Sequence, residues 1–289
     1  MLFLGPGTSS NPGRVLHHRE LLRTYYRTYA QLAVRFGVGF VLDSPGWRGN
    51  PDWARKLGYS PAEPAAANRD GILLMHGILA EYETPASPMV ISGAVGPRGD
   101  GYQTGAMMSP REAARCHAPQ VRAYQDAGAD LVTAFTLTYA DEALGIVNAA
   151  AAADIPAVIS FTLETDGRLP SGQTLREVIE SVDARARQAP AYYMINCAHP
   201  THFAADLPVA APWLERIVAL RANASCRSHA ELDESPDLDA GNPAELGRQY
   251  RQLREFLPRL NVFGGCCGTD LRHLEAICES CLAPVPVPA

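Results

Sequence analysis

Residues 261–270 read NVFGGCCGTD, with Cys266 and Cys267 side by side among Gly264, Gly265 and Gly268. Neighbouring side chains in a regular strand face opposite ways, so two adjacent thiols cannot meet one partner there. Glycine backbones reach angles that other residues avoid, which allows both sulfurs to turn toward a single point. A soft metal ion is the partner that suits such a pair, and it needs at least one further ligand. Cys197, in YYMINCAHP, follows an apolar strand-like run just as the pair does. Thiolates hold Zn²⁺ at about 2.3 Å, and three protein ligands leave a fourth position free for chemistry. Sulfur donors fit Zn²⁺ and disfavour Mg²⁺ or Ca²⁺. His199 and His202 are ligand candidates beside Cys197, although Pro200 and ordinary loop polarity also account for them. The Cys278-Glu-Ser-Cys281 spacing falls late in a helix and reads as structural, and Cys116 and Cys226 belong to no pattern.

What positions these thiols is a recurring alternation. Apolar strand-like runs occupy 38–43, 88–93, 129–135, 156–161, 192–196, 217–222 and 260–263. Amphipathic stretches at 19–36, 110–127, 141–153, 174–188 and 243–256 lie between them. Strands alternating with helices of this length indicate βαβ units and a parallel sheet. The segment ELDESPDLDAGNP (231–243) reads as a long loop between strand and helix, with Pro243 where a helix likes to begin. No Gly-x-Gly-x-x-Gly follows the first strand, so a dinucleotide-binding wound sheet lacks its fingerprint. The expected fold is α/β: a (β/α)₈ TIM-like barrel, one domain over residues 1–289, with a first strand that is short or missing. A barrel of this kind carries its chemistry at the C-terminal ends of its strands, where all three cysteines fall.

Composition narrows the function. The 289 residues are 47% hydrophobic and 19% charged, enough for a sizeable core. A formal charge of −6 and a pI near 5.8 argue against nucleic acid or an anionic membrane as partner. Lys56 is the single lysine among 25 basic residues, and the arginines are scattered rather than clustered. No apolar run approaches the ~20 residues of a membrane helix. MLFLGPGTSS lacks the basic flank and apolar core of a signal peptide. Seven cysteines, an odd number in a chain that needs no staples, suit a reducing cytoplasm that keeps thiols for metal or catalysis.

GGCCGT after the final strand, with Ile195-Asn196-Cys197 after an earlier one, resembles the homocysteine S-methyltransferase family, which holds the betaine-dependent and S-methylmethionine-dependent enzymes. ISGAVGPRGDGY (91–102) is similar to that family's third-strand loop, and ISFTL with LPSG (159–163, 169–172) to its fifth-strand segment. The resemblance runs from about residue 20 to 280. It implies a (β/α)₈ barrel on which Cys197, Cys266 and Cys267 ligate Zn²⁺. It also implies a small-molecule thiol and a methyl donor as partners. A thiol bound to zinc loses its proton and becomes a nucleophile at neutral pH. What remains is to align it with the donor. Sulfonium and quaternary ammonium donors already carry a good leaving group, so no general acid is required. Asn196 and Asn223 match polar positions of the family, where they either orient substrate or satisfy loop backbone groups.

Two positions depart from the family pattern. Its first strand ends in an Asp-Gly-Gly-x-x-Thr-like turn that helps bind homocysteine, whereas this chain starts MLFLGPGTSS. Met1–Leu4 and the Gly5-Pro6-Gly7-Thr8 turn either fold over the gap between the second and eighth strands, or two chains meet there as a homodimer. After the fourth strand the family has Glu-Thr, the Glu holding the amino acid's ammonium. Here Phe135 precedes the matching Thr136, which makes Asp43 a candidate replacement acid. Trp47 and Trp53 are candidates to line a donor pocket, or pack the loop. The leading expectation is a zinc-dependent methyltransferase acting on the thiol of homocysteine or a related thiol or selenol. A zinc hydrolase ranks below it because three thiolates blunt Lewis acidity. A non-catalytic zinc-binding homologue is the third alternative.

Overall fold

The computed structural model of the chain describes residues 2–4, 19–60 and 62–282. Seven parallel strands, β2 (Gly39–Asp43), β3 (Met89–Val95), β4 (Leu131–Leu137), β5 (Ala157–Phe161), β6 (Tyr192–Asn196), β7 (Ile217–Ala222) and β8 (Val262–Gly265), neighbour one another in chain order and curl into a TIM-like α/β barrel. The short strand β1 (Leu2–Leu4) pairs in parallel with both ends of that arc. Phe3 stands opposite Phe40 on one side and Phe263 on the other. The first strand is thus short and present, and the edges of β2 and β8 are paired with it. Bare edges, the physical ground for expecting a homodimer at that seam, do not arise there. The Gly5-Pro6-Gly7-Thr8 turn lies outside the described residues.

Nine α-helices are described: α1 (Arg19–Phe36), α2 (Pro51–Lys56), α3 (Glu63–Tyr82), α4 (Pro110–Asp126), α5 (Ala140–Ala152), α6 (Leu175–Arg185), α7 (His229–Asp233), α8 (Pro243–Phe256) and α9 (Leu271–Leu282). Their starts are written locally. Ser109 and Glu112 form a capping box at α4, Thr174 and Glu177 one at α6, and Asn242 caps α8 ahead of Pro243. The sequence pattern misses α3, whose Gly71 and Gly77 blur its apolar stripe. Among the described residues, no helix is long and apolar enough to cross a membrane.

Two apolar clusters divide the inside from the outside of the barrel. The larger joins outward-facing strand residues such as Leu42, Ile159, Ile195 and Phe263 to the helices. The smaller takes one residue from each strand β2 to β8: Val41, Ala94, Phe135, Val158, Met194, Ala219 and Val262. This is the interior layer. Side chains two positions on face the same way, so Asp43, Ser160, Asn196 and Arg221 form a polar layer above it, toward the C-terminal mouth. Contacts within this layer agree, with Ser160 Oγ donating to Asn196 Oδ1 of the neighbouring strand at 2.5 Å and Arg221 Nη1 3.2 Å from Asp43 Oδ2.

Candidate metal centre

The sulfurs of Cys197, Cys266 and Cys267 converge within 4.8 Å of one another at the C-terminal mouth. Cys197 is buried, Cys266 half-buried and Cys267 exposed. No other group of three potential metal ligands occurs among the described residues, and neither His199 nor His202 belongs to this one. His202 Nε2 bonds the Cys226 carbonyl at 2.8 Å, and His199 Nδ1 meets Thr201 Oγ1. Burial holds the His199 imidazole uncharged, down to about 4. The Cys197 and Cys266 sulfurs touch as a disulfide, with their α-carbons 5.5 Å apart, while Cys267 is a free thiol. Three convergent sulfurs, one of them facing out, suit a thiophilic ion once reduced.

The backbone solves the problem of aiming three sulfurs in an unexpected way. Of the glycines around the pair, Gly268 adopts a left-handed conformation, φ +78°. Gly265 serves close approach instead, since a Cβ there would lie 2.1 Å from Thr269 Oγ1. The second left-handed residue of the cluster is Cys197 itself, at φ +53°. Asn196 faces the interior, so an extended Cys197 would point away from it. The left-handed turn redirects its sulfur to the other two.

The two asparagines work on the protein itself. Asn223 Nδ2 donates to the Cys197 carbonyl at 3.2 Å, and its Oδ1 accepts from Cys267 N–H at 3.2 Å, so one side chain ties two cysteines together. Asn196 Oδ1 accepts from Thr136 N–H at 2.9 Å, and its Nδ2 donates to Thr136 Oγ1 at 2.9 Å. This clamps Thr136 in a left-handed conformation, φ +59°, that costs free energy unless its surroundings enforce it. Asp43 pairs with Arg221 Nη1, and Arg221 Nε donates to Gly265 O at 3.1 Å. The guanidinium lies 4.8 Å above the Phe135 ring, in the layer below. Burial raises the Asp43 carboxyl to about 6, opposed by the charge of Arg221. Asp43 Oδ1 is buried without a hydrogen-bond partner.

Three residues of this site escape the sequence reading. Tyr102, from the β3–α4 loop, places its hydroxyl 3.7 Å from Cys197 Sγ and 3.8 Å from Cys267 Sγ. Burial pushes the phenol well above its ordinary range, so it stays protonated. The His229 ring packs against Tyr102 at a tilt of 41° with centroids 4.2 Å apart and bonds the Cys197 carbonyl, and Glu164 faces His229 Nδ1 at 3.3 Å. Only Tyr102 carried a signal, its place at the end of GPRGDGY. On the far side of its loop, Gly99, Asp100, Thr104 and Glu142 help line a separate cavity of about 660 Å³. Trp47 reaches the interior, donating from Nε1 to the Phe135 carbonyl at 3.4 Å. Trp53 instead lies on α2 between Arg48 and Lys56, 3.9 Å and 4.3 Å from its ring.

Fold and site together define a parallel α/β barrel that gathers three cysteine sulfurs at its catalytic end. Over residues 8–281 the chain matches the homocysteine S-methyltransferase family, and it belongs to that family. It is accordingly an S-methyltransferase by class. Its fold is similar to that of the homocysteine methyltransferase MmuM from Escherichia coli. The oxidized form is 22% identical with a TM-score of 0.70, covering 96% of this chain and 95% of that one. The metallated form is 20% identical with a TM-score of 0.70 and the same coverage. For the apo form the values are 22% and 0.66, covering 97% and 95%. A comparison with curated proteins found no match.

Proposed function

We propose that this chain is a zinc-dependent methyltransferase that moves a methyl group from a sulfonium or ammonium donor to the thiol of homocysteine or a related thiol or selenol. The observation that carries this reading is the convergence of three sulfurs at the barrel mouth of a family member. Cys197, Cys266 and Cys267 are the residues to hold Zn²⁺, after reduction of the Cys197–Cys266 contact. The ion supplies Lewis acidity that keeps a coordinated thiol deprotonated at neutral pH. The protein's own residues do the rest. Asn223 fixes two ligand cysteines, and Asn196 presents Thr136 to the substrate. Asp43 Oδ1, buried and unpartnered, is the acceptor for an amine of the bound substrate. The reading takes residues 1–289 as a single (β/α)₈ domain at work in a reducing cytoplasm, making methionine when homocysteine is the acceptor.

Zinc X-ray absorption tests the first step. Adding homocysteine to the reduced, zinc-loaded protein is expected to replace one oxygen or nitrogen scatterer with sulfur. Transfer of label from methyl-labelled S-methylmethionine or betaine then identifies the donor. An unchanged first shell at saturating thiol sinks the methyltransferase reading.

Asp43 makes the acceptor affinity pH-dependent. Its carboxyl faces Arg221 from β7, Ser92 from β3 and the phenols of Tyr124 and Tyr192, with burial dominating. Only the ionised form attracts an ammonium group. KM for the acceptor should therefore rise as pH falls through about 6, by up to about tenfold per pH unit for a single proton. Asp43→Asn should raise KM at neutral pH and flatten that profile. A wild-type profile retained in Asp43→Asn would remove Asp43 from acceptor binding.

A further inference from the structure

Cys197 occupies a backbone region that residues with a side chain avoid, and its sulfur reaches the cluster only because it does so. Such a conformation persists when the surroundings over-determine it. Here they do so at the peptide on either side of the residue. Cys197 N–H donates to Arg221 O at 3.1 Å, just beyond the end of β6. Its carbonyl collects three donors: His229 Nε2 at 2.6 Å, Asn223 Nδ2 at 3.2 Å and Thr162 Oγ1 at 3.4 Å. A carbonyl only accepts, so Nε2 is the nitrogen that carries the proton in this contact.

The histidine does not arrive by chance packing of a core residue. It is the first residue of α7, whose start is set by a capping box between Ser228 and Glu231, within the long β7–α8 connection. Its side chain is 11% exposed and is held at Nδ1 by Glu164 of the β5–α6 loop. Its ring packs against the tilted ring of Tyr102, whose hydroxyl touches the sulfurs of Cys197 and Cys267. One imidazole therefore reaches the cysteine cluster twice, through a ligand's own peptide and through the phenol that covers two sulfurs.

We propose that His229 is a positioning residue for the thiolate centre: its Nε2–H donation to the Cys197 carbonyl holds that cysteine in the left-handed conformation that brings its sulfur to Cys266 and Cys267. The role rests on the reading of the three cysteines as metal ligands. Outer groups that orient a ligand are worth about 10–100-fold in metal affinity when removed. Their effect also appears in the ligand field, which a role in overall stability would not move.

The test pairs two variants of similar size that differ in the donor. His229→Gln supplies an N–H where Nε2 stood, whereas His229→Met fills the same space without one. Each full-length, reduced protein is loaded with Co²⁺, its thiolate-to-metal charge-transfer band recorded, and its Zn²⁺ affinity measured by chelator competition. The expected result is an affinity about 10–100-fold weaker in His229→Met with a shifted band, and recovery of both affinity and band in His229→Gln. Wild-type affinity and spectrum in His229→Met overturn the proposal. So do equal losses in both variants, which would assign the effect to the ring and not to the donor. A wild-type protein that shows no thiolate-to-metal band overturns the metal reading itself, and the role of His229 with it. If His229→Met does not fold, Glu164→Gln, which loosens the ring at Nδ1, should weaken affinity in the same sense, and unchanged affinity there overturns the proposal.

Discussion

Cys197→Ala, Cys266→Ala and Cys267→Ala are each expected to reduce bound zinc from about one ion per chain to near zero, and methyl transfer with it. Two remaining sulfurs cannot complete the site, because no fourth candidate ligand lies with them among the described residues. Metal analysis of the reduced, purified variants reads this directly. Cys278→Ala is the control. Cys278 is fully buried in α9, away from the barrel mouth, and burial pushes its thiol up to about 12, so it is a packing residue and not a thiolate. Its loss should leave zinc stoichiometry unchanged and cost only about 1 kcal/mol of stability. Full zinc retention in any of the three site variants would remove that cysteine from the ligand set.

Arg221→Leu is expected to be the most destabilising single change at the barrel mouth. Its side chain is 3% exposed and that of Asp43 10%. Removing one partner from a buried pair leaves an uncompensated charge and costs about 3–5 kcal/mol, which lowers Tm by roughly 10 °C in a protein of this size. The loss carries a pH signature. Burial already raises the Asp43 carboxyl from 3.8 to about 6 with the guanidinium beside it, and without Arg221 it rises further. The folded state then keeps a proton that the unfolded state releases near pH 4. Stability contributed in this way is present at low pH and lost as pH climbs through the folded pKa. Arg221→Leu should accordingly be less impaired at pH 5 than at pH 8, and Asp43→Asn in the same chain should restore part of the loss at pH 8. Equal destabilisation at both pH values would mean that lost packing on Phe135 and the lost bond to Gly265 dominate, and that the ion pair contributes little.

Much of this architecture was legible in the chain. The runs at 192–196 and 217–222 coincide with β6 and β7, and the other five differ from the observed strands by about two residues at their ends. Such runs are recognisable because strands buried on both faces of a parallel barrel read as continuous apolar segments. Pro243 marked the start of α8 for an equally local reason, since a helix's first residue needs no N–H partner. The cysteines are legible as residues that follow strands, which by itself puts them at one end of the barrel. Arg221 also left a trace, as the one charge in the apolar run IVALRA, though nothing local says what neutralises it.

Tertiary structure decided the rest. Asp43 and Arg221 lie 178 positions apart and meet because closure of the ring sets β2 and β7 facing across the mouth. Tyr102, Glu164 and His229 come from three different loops, and no spacing in the chain relates them to Cys197. The left-handed turn at Cys197 is likewise absent from any propensity, since an isolated cysteine has no reason to adopt it. Sequence alone determines where the backbone can form strands and helices and which faces they bury, because those are short-range properties of period and side-chain type. Which polar groups then satisfy one another depends on long-range closure, where a strained residue is tolerated once the donors from several loops converge on its peptide.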